Sequence, residues 1–173
     1  MGPTEVARRD RKVHMNCQND SSPTPGDSAK ELEADILLAA MSLAPVLITA
    51  PPDDALRIVR AIAALERRGH VRDVLTCDAA AGDDVIGAIA DNRLRIATDR
   101  GTAILWVGEV HALRSRDQVA LMTLLAYPSA GSGGDVPRIV ASSSVNLCDC
   151  IAQGRFDSRL FYRLNVIHIV VPA

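Results

Sequence analysis

Residues 138–172 read RIVASSSVNLCDCIAQGRFDSRLFYRLNVIHIVVP. Ile139, Val140 and Ala141 form a short apolar run with β-branched members, and Val166 to Val171 form a second, closed by Pro172. Both have the pattern of strands buried on two faces. Between them, Gly154-Arg155-Phe156 and Leu160-Phe161-Tyr162-Arg163-Leu164-Asn165 set arginines beside aromatics just ahead of the second run. The stretch reads strand, short helix, arginine-rich turn, strand.

The same grammar extends upstream. Leu32, Ile36, Leu37, Ala40 and Leu43 recur at helical spacing after a cap at Asp27 or Ser28, and Pro45 ends the helix. Val46 to Thr49 is a continuously apolar strand, followed by a loop over 50–56 and a helical pattern through Leu56, Ile58, Val59, Ile62 and Leu65 up to Gly69. Val74 to Cys77 makes a second strand, 85–89 a short helix, and Ala103 to Val107 a third strand. Gln118, Leu121, Met122, Leu124 and Leu125 mark an amphipathic helix, and 127–134 is turn-rich. Strands alternating with helices predict an α/β fold, a three-layer parallel sheet with helices on both faces. Residues 1–27, with Pro3, Pro23, Pro25, Gly26 and little apolar periodicity, read as a disordered leader, so the domain is expected over 28–173.

Composition narrows the class. At 48% hydrophobic, 173 residues suffice for one domain with a real core. Nineteen basic against 21 acidic residues produce no strong field, which argues against direct DNA binding by charge and against an anionic membrane surface. The aromatics are too few and scattered for a base-stacking platform, and most are expected in the core. Cysteines at 17, 77, 148 and 150 form no disulfide framework, and no apolar run has the length of a membrane span, so a cytoplasmic location is expected. Cys148-Asp149-Cys150 lacks the paired spacing of a zinc site, and His168 sits within an apolar strand; no metal site is expected.

The final stretch resembles the end of the central domain of bacterial sigma-54-dependent transcription activators, the AAA+ ATPases called enhancer-binding proteins, whose wording there is close to RIIAATNRDL and EGRFREDLYYRLNV. The resemblance runs from about Leu32 to Pro172. VLITA at 46–50 is similar to VLITGE, VRAIAAL at 59–65 to VARAIHxL, LTCDAA at 75–80 to VNCAA, GTAIL and GEVHAL at 101–113 to GTLFLDEIGEL, and QVALMTLL at 118–125 to QAKLLRVL. It implies the P-loop NTPase (AAA+) core, with ATP and magnesium as the family's cofactors and sigma-54 polymerase as its target.

The chemistry departs from that pattern. A phosphate loop of the form G-x-x-x-x-G-K-[ST] wraps phosphates in backbone N–H groups while its lysine neutralises them. The matching positions here are Ala50, Pro51, Pro52, Asp53, Asp54, Ala55 and Leu56. Two prolines remove donors, and the aspartates repel a polyphosphate by about 1–4 kcal/mol per close like-charge pair. The only lysines, Lys12 and Lys30, precede the first strand.

Where the family has an Asp-Glu pair for magnesium and the attacking water, alignment back from Gln118 places Gly108 and Glu109; alignment forward from Gly101 places Trp106 and Val107. Glu109 is either a relic of the catalytic base or a capping or solvated residue. Ser144 occupies the sensor position, and is otherwise part of a turn. Of the two arginine fingers the resemblance implies, Asp157 replaces the first and Arg163 matches the second, there either to bridge to a neighbouring subunit or to pair locally with Asp157.

The interval from Ala80 to Gly101 holds no Gly-Ala-Phe-Thr wording for sigma-54 contact, and the resemblance ends without the family's helical lid and DNA-reading helix-turn-helix. The expected function is a transcription-regulation module, inactive as an ATPase and lacking bound cofactor, that acts through intact AAA+ activators or the sigma-54 polymerase. The alternatives are a regulator that retains nucleotide binding and a gene fragment without a role.

Overall fold

The computed structural model describes residues 25–66, 73–84, 87, 103–126 and 138–171. In chain order these form α1 (Pro25–Met41), β1 (Val46–Thr49), α2 (Pro52–Leu65), β2 (Asp73–Asp78), β3 (Ala103–Gly108), a 3-10 turn (Val110–Ala112), α3 (Ser115–Ala126), β4 (Arg138–Ser143), α4 (Leu147–Ala152), α5 (Ser158–Leu164) and β5 (Ile167–Val170). The expected leader up to residue 24, the helix at 85–89 apart from Gly87, and the 127–134 turn lie outside the described residues.

Two element starts differ from the sequence reading. Helix α1 begins at Pro25 rather than at a cap on Asp27 or Ser28. Helix α2 begins at Pro52, so most of the expected 50–56 loop is the helix's first turn. Proline at the first helical position loses no hydrogen bond, and Asp53 and Asp54 in the first turn favour the positive end of the helix dipole. Prolines and aspartates at these positions are good helix starters.

All five strands are parallel, in the order β2-β3-β4-β1-β5. Val46 lies opposite Val140 on one side and Ile167 on the other, and Trp106 opposite Val140 and Thr76. Alternate residues along the strands enter two cores. Ile48, Ile104, Val140 and Ile169 pack with Ile58, Val59 and Ile62 of α2 and with Ala39 of α1. Leu47, Leu105, Val107 and Ala141 pack with Leu121 of α3, Leu147 and Cys150 of α4, and Leu160, Phe161 and Leu164 of α5. Phe156 and Phe161 are buried as expected of the aromatics; Tyr162 is not, at 56% exposure.

Arg138 starts β4 and is buried at the amino ends of the strands. Its Nη2 donates to the Ala39 carbonyl of α1, and its Nη1 lies 3.7 Å from Glu66 Oε1 at the end of α2. Burial lowers the affinity of this guanidinium for its proton, and Glu66 opposes that shift. At the edge of the sheet, His168 Nε2 meets Thr49 Oγ1 at 2.9 Å.

Arg138→Ala removes the buried cation that joins α1, α2 and β4. Urea unfolding followed by circular dichroism should show a loss of about 3–5 kcal/mol.

Burial, then Asp83 and Asp78, push the Cys77 thiol up from 9.0 to about 11. Its neutral form is favoured in the folded state, so this contribution to stability is complete below pH 9 and is lost as pH rises toward 11. The urea midpoint should fall over that interval, and less steeply in Cys77→Ala.

Candidate functional site

Ligands of open parallel α/β sheets bind outside the carboxyl ends of the strands. On this molecule that edge is built from the end of β1, the end of β3 and the end of β4. Between Thr49 and the start of α2 stand only Ala50 and Pro51. The Ala50 N–H is spent on the Ser143 carbonyl at 3.2 Å, and the Ala55 N–H on the Pro51 carbonyl at 2.9 Å. Pro51 and Pro52 have no N–H. From 50 to 55, the amides left without a helical partner are those of Asp53 and Asp54, and each carries its own carboxylate. Arg57 pairs with Asp54 at 3.0 Å, but in an exposed position where such a pair contributes little. Leu56 is partly buried in the first turn.

At the end of β3, Glu109 adopts the left-handed conformation, with φ 51° and ψ 47°, and is only 8% exposed. Its side chain makes no cap to the following 3-10 turn. It turns to β4 instead: Ser144 Oγ donates to Glu109 Oε2 at 2.6 Å, with the Ser144 N–H at 3.4 Å. His111 Nδ1 lies 3.3 Å from the same Oε2 and 3.2 Å from Ser143 Oγ. Ser143 Oγ in turn donates to the Val145 carbonyl at 2.7 Å. Glu109 Oε1 is buried without a hydrogen-bond partner. Glu109 is thus neither a helix cap nor a solvated residue; it is one end of a buried polar group completed by Ser144, His111 and Ser143.

The two alignments are separated by geometry. Trp106 lies within β3, its indole N–H donating to Ser142 Oγ at 3.0 Å, and Val107 is fully buried in the core. Gly108 and Glu109 stand at the carboxyl edge. A Cβ at Gly108 would lie 3.4 Å from Trp106 Cζ2, an ordinary van der Waals contact. Ser144 and Glu109 meet at this edge. His111 and Ser143 escaped the sequence reading; the one available signal was a histidine two residues beyond an isolated acid.

Arg163 is exposed on α5, and no hydrogen bond or ion pair joins it to the Glu109 group or to Asp157 among the described residues. Asp157 is the helix cap, its Oδ1 accepting from the Arg159 N–H at 2.7 Å. The local pairing alternative for Arg163 is therefore not realised. Among the described residues no three His, Cys, Asp or Glu side chains gather as a metal site.

A family model described as the sigma-54 interaction domain matches residues 26–173. The chain belongs to this family. The domain is 32% identical over 92 residues to UacR of Escherichia coli (strain K12), which is named as a sigma-54-dependent transcriptional regulator; the match covers 50% of this chain and 16% of that protein. The crystal structure of NtrX from Brucella abortus in complex with ATP superimposes with a TM-score of 0.65 at 25% identity, over 90% of this chain and 39% of that one. The P-loop NTPase domain of a sigma-54 activator from E. coli superimposes at 0.58 and 14% identity, covering 84% of this chain and 96% of that one. The fold is that of the P-loop NTPases and AAA+ proteins, as the five-stranded parallel sheet indicates. The sigma-54 interaction domain described here spans a minor part of UacR and of NtrX.

In this sigma-54 interaction domain, one buried side chain holds α5 against the rest. Gln118 Nε2 donates to the carbonyls of Leu113 and Arg155, both at 3.0 Å, and Gln118 Oε1 accepts from the Asp157 N–H at 2.8 Å. Gln118→Leu leaves three backbone groups unpaired and should cost about 3 kcal/mol in chemical denaturation.

Proposed function

We propose that this sigma-54 interaction domain is a transcription-regulatory protein-interaction module that works without binding or hydrolysing ATP. The observation that carries this reading is the amide accounting at residues 50–55. A phosphate cradle needs several converging N–H groups and a lysine. Here two N–H groups remain, both on aspartates, and no lysine follows Lys30. Residues of this kind do not fit a magnesium-bound polyphosphate. Gly108 offers no carboxylate toward a metal, and Glu109 is engaged by Ser144.

With the nucleotide chemistry set aside, what persists is a family fold, one of whose relatives is named as a sigma-54-dependent transcriptional regulator, carrying an exposed Arg163 with no hydrogen bond or ion pair among the described residues. The partners this reading names are an intact AAA+ activator or the sigma-54 polymerase, in the cytoplasm.

Calorimetric titration of the folded chain with magnesium-ATP and with ADP tests the reading. The expected result is no saturable heat up to about 1 mM, the level at which a site contributes only about 4 kcal/mol. Saturable binding at micromolar nucleotide overturns it. Grafting a glycine-lysine loop over 51–56 should not restore turnover, because Gly108 and Asp157 remain.

A further inference from the structure

The carboxyl edge of the sheet carries aspartates beside β1 and again beside β2. Asp53 and Asp54 follow β1; Asp78 ends β2, and Asp83 and Asp84 follow it. All are exposed except Asp54, which is half-buried. After burial, the fields of Asp83, Asp78 and Asp84 push the Cys77 thiol up, so these three converge on the end of β2. Between the two groups stands Glu109 at the end of β3, 8% exposed, its Oε1 buried without a hydrogen-bond partner. Described positive groups offset little of this charge: Arg57 is taken by Asp54, Arg116 lies 3.7 Å from Asp117, and Arg114 remains.

An edge of this charge repels polyphosphate and attracts a cation. Its carboxylates do not gather as a metal site among the described residues, so a cation spread over several groups fits better than an ion. The chain itself supplies one. Residues 8–12 read RRDRK, four bases with Asp10 as the acid among them. Extended, these residues span about 13 Å, and β1 stands three strand spacings from β2, or about 14 Å.

Helix α1 brings that segment to the same edge. The Ala39 carbonyl, near the end of α1, meets Arg138 at the amino ends of the strands. Burial lowers the affinity of His168 for its proton, and Asp35, one turn before Ala39, opposes that shift; His168 lies opposite Leu47 of β1. The helix therefore runs against the strands, and Pro25, about 21 Å from Ala39 along the axis, emerges at the carboxyl edge. From there the chain back to Lys12 reaches up to about 43 Å.

We infer that the basic run at 8–12 docks across the acidic carboxyl edge of its own chain, from Asp53 and Asp54 to Asp78, Asp83 and Asp84. This rests on the reading that no nucleotide occupies the edge. The tether holds the run at high effective concentration, so exposed ion pairs that are weak singly act together. The edge is closed to other cationic partners until the run is displaced.

Lys12 and Lys30 are the only lysines, which makes zero-length carbodiimide coupling a direct test. The reagent activates a carboxyl group, the lysine amine displaces it as a urea, and an amide forms where the two groups touched. The full chain is coupled at low and at high salt and its peptides are mapped by mass spectrometry, with exposed Lys30 reporting reactivity. The expected result is Lys12 joined to aspartates at 53–54 and 78–84, with a yield that falls at least ~5-fold at high salt. Arg8→Glu, Arg9→Glu and Arg11→Glu together keep Lys12 as the reporter and should lower the yield as much. So should Asp53→Asn with Asp54→Asn and Asp84→Asn, read at Asp78 and Asp83. Thermal melts matching the parent confirm that each variant is folded.

Coupling an equal mixture of isotope-labelled and unlabelled chain decides whether the contact is internal. Linked peptides of a single isotope support the inference, and mixed pairs overturn it. Lys12 links that ignore salt, that scatter over other carboxylates such as Glu33 and Asp149, or that are absent while Lys30 reacts overturn it as well. The nucleotide titration is independent: saturable ATP binding with the Lys12 links intact sinks the proposed function alone, and a chain that binds no ATP and forms no Lys12 links sinks only this inference.

Discussion

Val46 to Thr49 is paired along both edges and, for Val46, Leu47 and Ile48, buried on both faces. Everything else in the domain follows from the need to enclose that strand. A parallel sheet has no solvated face, so helices must cover both sides, and each strand must return through a crossover. Because all strands run one way, their carboxyl ends share one edge. Ala50 reaches Ser143 there, and Glu109 reaches Ser144, although each pair is far apart in the chain.

The polar groups of that edge are satisfied internally to an unusual degree. The Ala50 amide, the Ser143 and Ser144 hydroxyls and the Glu109 carboxylate are bound to one another or to backbone. A ligand has to compete with these contacts before it gains any. The one cost left visible is in Glu109, which holds a left-handed conformation unusual for a residue with a side chain and keeps one carboxylate oxygen unpaired. Such strain persists only where surrounding packing imposes it. The β3 strand before it and the Ser144 hydroxyl beside it do so.

At the other end of the sheet the logic is structural. Arg138 is buried because β4 starts beneath α1 and α2, and it is tolerated because Glu66 and the Ala39 carbonyl meet it there. Gln118 has a comparable role on the opposite face, spending two donated bonds and one accepted bond on three backbone groups from two loops. Arg138 is a polar cross-link between helices and sheet, and Gln118 one between neighbouring loops on one face.

The sheet was legible from the sequence because buried parallel strands are short, continuous apolar runs: Val46 to Thr49, Ala103 to Val107 and Ile139 to Ala141 announce themselves without context. The chemistry of residues 51–54 was legible too, since proline lacks an N–H and aspartate carries charge wherever the chain places it. The start of α2 was not. Pro51-Pro52-Asp53-Asp54 has the same composition whether it forms a loop or opens a helix, and the helix wins because Ala55, Ile58, Val59 and Ile62 are drawn into the core behind it. Nor was the state of Glu109. Its Ser144 contact joins residues 35 apart, and His111 and Ser143 join it only because strand register brings β3 and β4 level. Local chemistry is written residue by residue, whereas long-range pairing of polar groups exists only after the strands have chosen their neighbours.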